Sequence, residues 1–303
     1  PFGGLTADQL DALGVFASNY APLKKGHVTT RENFQFHHIK LTDTPEIMRL
    51  IGNVGLSTRE ACGNTVRNVT GCPMAGVCAD EPFDVTPFAA AYSRYFVRHP
   101  FTQALPRKFK SAFSGCERDC AITAIHDMGF IPRIMDGKQG FKVVTGGGTS
   151  IMARIAPTLY EFVPVEDYLR VTEAVIRVFH GSDELRKNRM KARIKFLVDR
   201  IGIDAFRILV EEELKEPWAQ RPIDPTPLLF LEDEAKNAPP PLGSYHVNGR
   251  NLDFQHWLET NVHPQKQEGY KAVTVKLPLG DIQADQFHKL ADIARKYAGG
   301  RAR

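Results

Sequence analysis

The sequence has little cysteine and no long apolar run. Five cysteines occur in 303 residues, and this small odd number, without a visible signal peptide, argues against a framework of disulfides. No apolar run approaches the roughly 20 residues that a membrane-spanning helix needs. We therefore expect a cytoplasmic protein, with no membrane partner, whose cysteines serve metal binding or redox chemistry.

The charge balance is not extreme either. The formal net charge is +4, with 24% charged and 43% hydrophobic residues, as in an ordinary globular protein. No basic tract with interleaved aromatic residues is present, so we expect no nucleic-acid partner. The small excess of cations leaves positive charge available for an acidic ligand.

An internal repeat relates the two ends of the chain. Residues 1–9 resemble residues 278–286 at a constant offset of 277, since 278 − 1 = 277. Further identities at this offset are Leu13/Leu290, Ala17/Ala294, Tyr20/Tyr297 and Ala21/Ala298. Both copies have apolar residues at the spacing of an amphipathic helix. We expect two copies of one folding unit.

The residues around the two copies differ. The second copy is preceded by the alternating stretch KAVTVKL (residues 271–277), which predicts a strand. The first copy is followed by HVTTRENFQF (residues 27–36), and no counterpart follows the second copy. These differences favour a piece of a longer protein that lacks a second half.

The residues between the copies alternate between helical and strand patterns. The predicted helices cover residues 85–98, 165–179, 183–198 and 203–214, and the predicted strands cover 109–113, 128–134 and 141–145. This alternation indicates α/β layers. Lys187, Lys191 and Lys195 recur every four residues, which predicts a solvated helix face. Residues 217–243 are rich in proline and indicate a linker.

Four of the five cysteines form two close pairs. Cys72 and Cys78 are a C-x5-C pair, Cys116 and Cys120 are a C-x3-C pair, and 37 residues separate the pairs. A [4Fe–4S] cluster takes one thiolate at each of four irons, and this pattern suits it. Tetrahedral zinc and unrelated buried thiols are the alternatives. Cys62 lies outside the pattern and is predicted to be a core residue.

Five motifs resemble the sulfite/nitrite reductase family and occur in the family's order. They are HVTTRENFQF (27–36), TREACGNTVRNVTGCP (58–73), LPRKFK (105–110), FKVVTGGG (141–148) and NVHPQKQEGY (261–270). The resemblance implies an α+β fold, with ferredoxin-like half-domains packed with a larger α/β domain. The implied bounds are 1–56 for the first half-domain, 57–216 for the siroheme and 4Fe–4S domain, 217–243 for the linker and 244–303 for a truncated second half-domain.

The resemblance also implies the chemistry. Family members bind siroheme and a [4Fe–4S] cluster and reduce sulfite to sulfide, or nitrite to ammonia, with six electrons from a donor such as ferredoxin or a reductase subunit. By the resemblance, Arg31, Arg67, Lys108 and Lys110 surround the small anion. Fixed cations and proton donors are what such an anion needs. Lys108 and Lys110 are two residues apart, so on a strand they share a face.

A second set of residues is predicted to contact the siroheme. Asn33, Gln35, Asn68 and Arg107 are candidates for its carboxylates, and Gly146, Gly147 and Gly148 allow a close backbone approach. A tight turn is the alternative role for these glycines. His126 beside Asp127 is expected to be an ordinary core or surface histidine.

The position of the cluster stays open. Assimilatory family members typically carry the cluster cysteines in their second half, whereas this chain resembles the first half. Either this half holds its own cluster, or its cysteines are vestigial and the working cluster lies elsewhere. The chain could also be a structural fragment without cofactor or activity, or a four-cysteine zinc protein. The sequence does not choose between sulfite and nitrite.

Overall fold

The computed structural model describes residues 2–229, 234–241 and 252–303. The helices are α1 Ala7–Asn19, α2 Thr44–Asn53, α3 Thr86–Phe96, α4 Tyr168–His180, α5 Asp183–Lys187, α6 Ile194–Ile201, α7 Ile203–Glu213, α8 Leu252–Asn261 and α9 Ala284–Tyr297. The strands are β1 Leu5–Thr6, β2 Lys25–Val28, β3 Phe34–Gln35, β4 Thr70–Gly71, β5 Ser111–Phe113, β6 Met128–Met135, β7 Lys138–Thr145, β8 Thr158–Pro164, β9 Val262–Pro264, β10 Lys271–Val273, β11 Asp281–Gln283 and β12 Arg301–Ala302. Within the described ranges, every helix is too short or too polar to cross a membrane.

The chain folds as two compact units. We call Pro1–Phe2, Thr58–Gly76 and Asp80–Leu231 the sheet unit, and Gly3–Ser57, Val77–Ala79 and Glu232–Arg303 the repeat unit. The domain bounds implied by the resemblance stay predictions. The predicted linker and the start of the segment 244–303 fall partly outside the described residues, at 230–233 and 242–251.

The repeat unit contains the two copies of the internal repeat. Helices α1 and α9 each begin with a capping box, formed by Thr6 with Gln9 and by Gln283 with Gln286. The strand before each helix pairs with the strand that follows the other helix: β1 pairs with β12, and β11 pairs with β2, both antiparallel. The arrangement therefore has a local two-fold pseudosymmetry, and β12 occupies the place for which the sequence predicts no strand.

The two repeat helices pack through small and apolar residues. Their buried members are Ala7, Leu10, Leu13, Ala17, Phe287, Ala291 and Ala294. Asp11 and His288, which are 277 residues apart, meet at 2.6 Å. Gly14 permits this contact, because a Cβ there would lie 2.6 Å from the His288 ring. Arg295 binds Asp8 and Asp11 at 2.7 and 2.5 Å.

The predicted strand at residues 271–277 is only partly correct. Its first part is β10, which pairs with β9, while residues 274–277 form no strand. Alternation predicts a strand with one buried face. Here Val273 and Val275 are 52% and 55% exposed, so burial gives no reason for the strand to continue.

The sheet unit is built on one mixed sheet in the order β4–β5–β6–β7–β8. The pairs β4–β5 and β5–β6 are parallel, and β6–β7 and β7–β8 are antiparallel. Its core is rich in aromatic rings, with Phe113 stacked on Phe130 at 4.4 Å between ring centroids. Tyr92 of α3 and Tyr168 of α4 are fully buried in the same core.

The predicted helix at residues 183–198 is broken into α5, a 3₁₀ turn at Arg189–Lys191 and α6. The break occurs at Asn188, whose backbone is extended and whose side chain accepts the N–H of Met190 at 2.9 Å. Asparagine competes with helical hydrogen bonding in this way. The break turns α6 so that its first residues enter the core: Lys195 is only 2% exposed. The prediction that Lys195 belongs to a solvated face is therefore wrong.

Candidate anion and cofactor site

Two predicted basic segments lie side by side in the sheet unit. The N–H of Arg67 donates to the carbonyl of Phe109 at 2.8 Å, and the N–H of Phe109 donates to Thr65 at 3.0 Å. Phe109 is fully buried, whereas Lys108 and Lys110 on either side of it are half-buried. In extended backbone this alternation directs both lysines away from the core.

The cations at this place affect one another. Burial lowers the pKa of Lys108, and Arg193, Arg107 and Arg67 lower it further, while Asp127 opposes them. Burial also lowers the pKa of Arg67; Cys62 opposes this effect, and Arg107 and Arg193 add to it. We call Arg67, Arg107, Lys108 and Arg193 the basic cluster. Crowded cations with partial burial form a ready site for an anion.

The guanidinium of Arg67 is fixed by its own loop. Its Nε donates to the carbonyl of Gly63 at 2.9 Å, and its Nη1 donates to that of Ala61 at 2.6 Å. Cys62 lies between these two residues and is exposed. The prediction of Cys62 as a core residue is wrong, because residues 61–64 form an exposed loop around Arg67 rather than part of a strand or helix.

Asp127 connects the basic cluster to the core. Its fully buried carboxylate accepts Nε and Nη2 of Arg193 at 2.8 and 2.7 Å, and the N–H of Lys110 at 2.8 Å. Burial raises the pKa of this carboxyl, and Arg193 opposes that rise. The sequence reasoning missed Arg193 and the role of Asp127. His126 is buried with Nδ1 2.8 Å from the carbonyl of Ile122, consistent with an ordinary core histidine.

The three predicted glycines are buried against their own chain. Gly146 has a φ of 85°, a conformation that favours glycine. A Cβ on Gly147 would lie 2.4 Å from the carbonyl oxygen of Ala124. A Cβ on Gly148 would lie 3.2 Å from atoms of both Arg193 and Lys195. Tight internal packing thus explains the glycines, and a contact of their backbone with siroheme stays a prediction.

Three predicted residues belong to the repeat unit. Arg31 follows the turn at Thr29, and its carbonyl accepts Nδ2 of Asn33 at 3.1 Å. Gln35 is exposed on β3 opposite His27. Asn68, in contrast, belongs to the sheet unit, beside Arg67. The structure therefore brings together Arg67, Lys108 and the neighbouring Arg107 and Lys110, while the roles of the other residues stay predictions.

The cysteines also divide between the units. Cys72 and Cys116 are buried and Cys120 is exposed in the sheet unit, whereas Cys78 falls in the short segment of the repeat unit. Burial raises the pKa of Cys72, and the charges of Cys120 and Cys116 add to this rise. Gly115 allows a close approach, since a Cβ there would lie 3.1 Å from Sγ of Cys72. All five cysteines are thiols rather than disulfides.

Family models cover most of the chain. Residues 62–218 match the nitrite and sulphite reductase 4Fe-4S domain, and residues 1–54 and 263–303 match the nitrite/sulfite reductase ferredoxin-like half domain. The chain belongs to the nitrite and sulfite reductase family. The predicted family is thus confirmed.

Similar proteins agree with this assignment. The chain is 33% identical to a ferredoxin–nitrite reductase of Synechococcus elongatus, over 100% of this chain and 55% of that protein. It is 36% identical to a sulfite reductase [ferredoxin] of Mycolicibacterium paratuberculosis, over 99% of this chain and 49% of that protein. The structure of Mycobacterium tuberculosis NirA superposes with a TM-score of 0.79 at 31% identity, covering 99% of this chain and 50% of NirA. The α+β fold class is confirmed, and the chain spans about half the length of these relatives.

The cofactors that family membership implies are siroheme and a [4Fe–4S] cluster, as predicted. The basic cluster fits siroheme, because the several cations of the cluster suit the many carboxylates of that ligand. Cys72, Cys116 and Cys120 fit an iron–sulfur cluster in chemistry, because thiolates are its ligands. Among the described residues, no three His, Cys, Asp or Glu side chains are placed to hold a single metal ion.

Proposed function

We propose that this chain forms the anion-binding half of a siroheme reductase that converts sulfite to sulfide, or nitrite to ammonia, with six electrons. The observation that carries the proposal is the basic cluster, in which burial and three arginines depress the pKa of Lys108. Similarity to both nitrite and sulfite reductases supports the reaction class. Either anion is small enough and negative enough for the same cations.

The cations have distinct proposed roles. Arginine stays protonated and binds oxyanions through its planar fork, so Arg67 and Arg107 bind the anion or a siroheme carboxylate. Removing each oxygen as water consumes protons at the site. Lys108 is suited to deliver them, because its lowered pKa makes the ammonium a better proton donor. Lys110 lies on the same side of Phe109 as a second proton donor, and Arg31 is proposed as a further ligand of the anion.

The cofactors supply what the side chains cannot. When bound, siroheme and the cluster bring electrons to the substrate. We propose Asn33, Gln35 and Asn68 as hydrogen-bond donors to siroheme carboxylates. The relatives from Synechococcus elongatus and Spinacia oleracea are ferredoxin–nitrite reductases, and we propose ferredoxin as the electron donor here.

Substitution of Lys108 and Arg67 tests the anion site. In the cofactor-loaded enzyme, Lys108→Ala and Arg67→Ala should each lower turnover of sulfite or nitrite by about 10²- to 10⁴-fold, the usual loss for a proton donor or a charge-stabilising group. Lys191→Ala is the matched control, because Lys191 is exposed and lies outside the basic cluster. Turnover near that of the control in both variants would refute the proposed site.

An iron count tests whether this half holds its own cluster. We expect the anaerobically purified chain to contain about four irons and four acid-labile sulfides. Cys116→Ser should remove them, whereas Cys62→Ser should not, since Cys62 is exposed and outside the two pairs. A folded, iron-free chain would instead favour the interpretation that the cysteines are vestigial and that the working cluster lies elsewhere.

A further inference from the structure

A buried ammonium organises the loop that follows the three glycines. Nζ of Lys195 lies 3.0 Å from the carbonyl oxygen of Thr149, 2.8 Å from that of Ile151 and 3.1 Å from that of Met152. The carbonyl of Gly148 is 3.5 Å away. The lysine side chain is almost fully buried, so the backbone of this loop surrounds its charge. An ammonium can donate three hydrogen bonds in this way.

The same end of α6 also holds the basic segment. Arg193 binds both oxygens of Asp127, and Asp127 Oδ2 also accepts the N–H of Lys110. The backbone carbonyl of Asp127 accepts the N–H of Gly146 at 3.1 Å. Arg193, itself a member of the basic cluster, is therefore linked through Asp127 to the Lys108–Lys110 segment. Lys195 is linked through carbonyl groups to the loop that follows Gly148.

The loop itself is strained and exposed. Ser150 and Met152 have φ angles of 75° and 52°, which are unfavourable for residues other than glycine. Ile151 and Met152 are 49% and 46% exposed, so the core gains little from their conformation. Strained backbone persists only where its surroundings determine it, and it clusters at functional sites. Here the surrounding contacts come from Lys195 and from the backbone pairing of Gly148 with Arg154, whose side chain also binds Asp199.

We propose that Arg193 and Lys195 are positioning residues for the anion and siroheme site. They hold the Lys108–Lys110 segment and residues 146–152 in the form that receives the ligand, before it binds. The inference rests on the proposed function for the identity of the ligand. The two cations are not interchangeable, because the fork of Arg193 matches a carboxylate and the ammonium of Lys195 matches converging carbonyls.

Hydrogen exchange tests the loop without any cofactor. In Lys195→Met, the amides of Gly148 and Arg154, which donate to each other's carbonyls at 3.0 and 2.9 Å, should exchange about tenfold faster or more, while amides of β6 and β7 keep their rates. Lys195→Arg, which preserves the charge, should not restore slow exchange. Lys191→Met, a substitution of the exposed lysine four residues earlier, should leave the loop as in the wild type. Unchanged loop exchange, or faster exchange throughout the sheet, would overturn the positioning role.

Kinetics of the cofactor-loaded enzyme provide the second readout. Lys195→Met should raise KM for sulfite or nitrite by about tenfold and change kcat less, because the groups that contact the anion are still present but less well placed. A KM equal to that of Lys191→Met would overturn the inference. If the wild-type enzyme reduces neither anion, the proposed function fails, and faster loop exchange in Lys195→Met would still support the positioning role.

Discussion

The repeat unit and the sheet unit use charge in opposite ways. At the crossing of α1 and α9, Arg295 pairs with Asp8 through side chains that are 42% and 79% exposed. In the sheet unit, the side chains of Arg193 and Asp127 are 11% and 0% exposed. Water and salt screen the first pair, so its contribution to stability is small. The second pair is desolvated, and the loss of either partner leaves an uncompensated buried charge.

This difference follows what each unit has to position. The repeat helices are already held together by the small and apolar residues buried between them. Their ion pairs therefore serve only to orient the two helices relative to each other. The loop that follows β7 leaves its apolar side chains, such as Ile151 and Met152, about half-exposed, and Asp127 and Lys195 instead bind backbone groups of the neighbouring segments directly. The buried charges of Asp127 and Lys195 are therefore found where irregular backbone must be fixed beside the basic cluster.

The largest effect that tests this comparison is expected for Arg193→Met. Removal of the guanidinium leaves the carboxylate of Asp127 buried without its partner, and the free energy of unfolding should fall by about 3–5 kcal/mol. Urea denaturation measures this loss. Arg154→Met is the matched control, because it removes an arginine that binds Asp199 through half-exposed side chains. Its cost should be much smaller, because water screens an exposed pair, and equal costs for the two variants would remove the distinction between buried and exposed pairs.

A smaller effect is expected from glycine substitutions in the two units. Gly147→Ala should destabilise the fold by about 1–3 kcal/mol, because its Cβ would overlap the carbonyl oxygens of Ala124 and His126. Gly52→Ala in α2 should stabilise by about 0.5–1 kcal/mol, since a Cβ there meets no atom within 4 Å and alanine favours the helix. Thermal unfolding of both variants measures the difference. A neutral Gly147→Ala would mean that the loop after β7 can move freely.

Much of the fold could be predicted because its signals are local. The repeat is visible as identities at one offset, and the helix patterns at 85–98, 165–179 and 203–214 correspond to α3, α4 and α7 within a few residues. The adjacency of Arg67 to the Lys108 segment came from family motifs rather than from spacing. Short-range periodicity predicts individual helices and strands, whereas resemblance to family motifs predicts which segments lie side by side.

The rest of the site depends on contacts between distant residues. Asp127 and Arg193 are 66 residues apart, and no local pattern connects them. Lys195 has the four-residue spacing of a solvated face, but the break at Asn188 separates it from Lys191 and places it in the core. Arg193 and Lys195 flank the apolar Ile194 at the start of α6, and this pattern could have suggested buried cations. Only the fold shows which groups they bind.

The smallest effect is expected for the exposed ion pairs of the repeat unit, and it is tested through the pH dependence of stability. Burial alone would raise the pKa of Asp11, but the hydrogen bonds from His288 and Arg295 outweigh it and lower the pKa below its ordinary value of 3.8. A lowered carboxyl pKa stabilises the folded state above the unfolded value, and this stability is lost as pH falls through the folded pKa. Asp11→Asn should therefore lower the free energy of unfolding by up to about 1 kcal/mol at neutral pH and by almost nothing in acid below the folded pKa.

Urea denaturation across this pH range measures the cost of Asp11→Asn. Asp292→Asn is the control, since Asp292 lies 3.6 Å from Arg295 and its side chain is 79% exposed. A cost for Asp11→Asn as large as that of Arg193→Met would show that exposure does not separate the two kinds of pair.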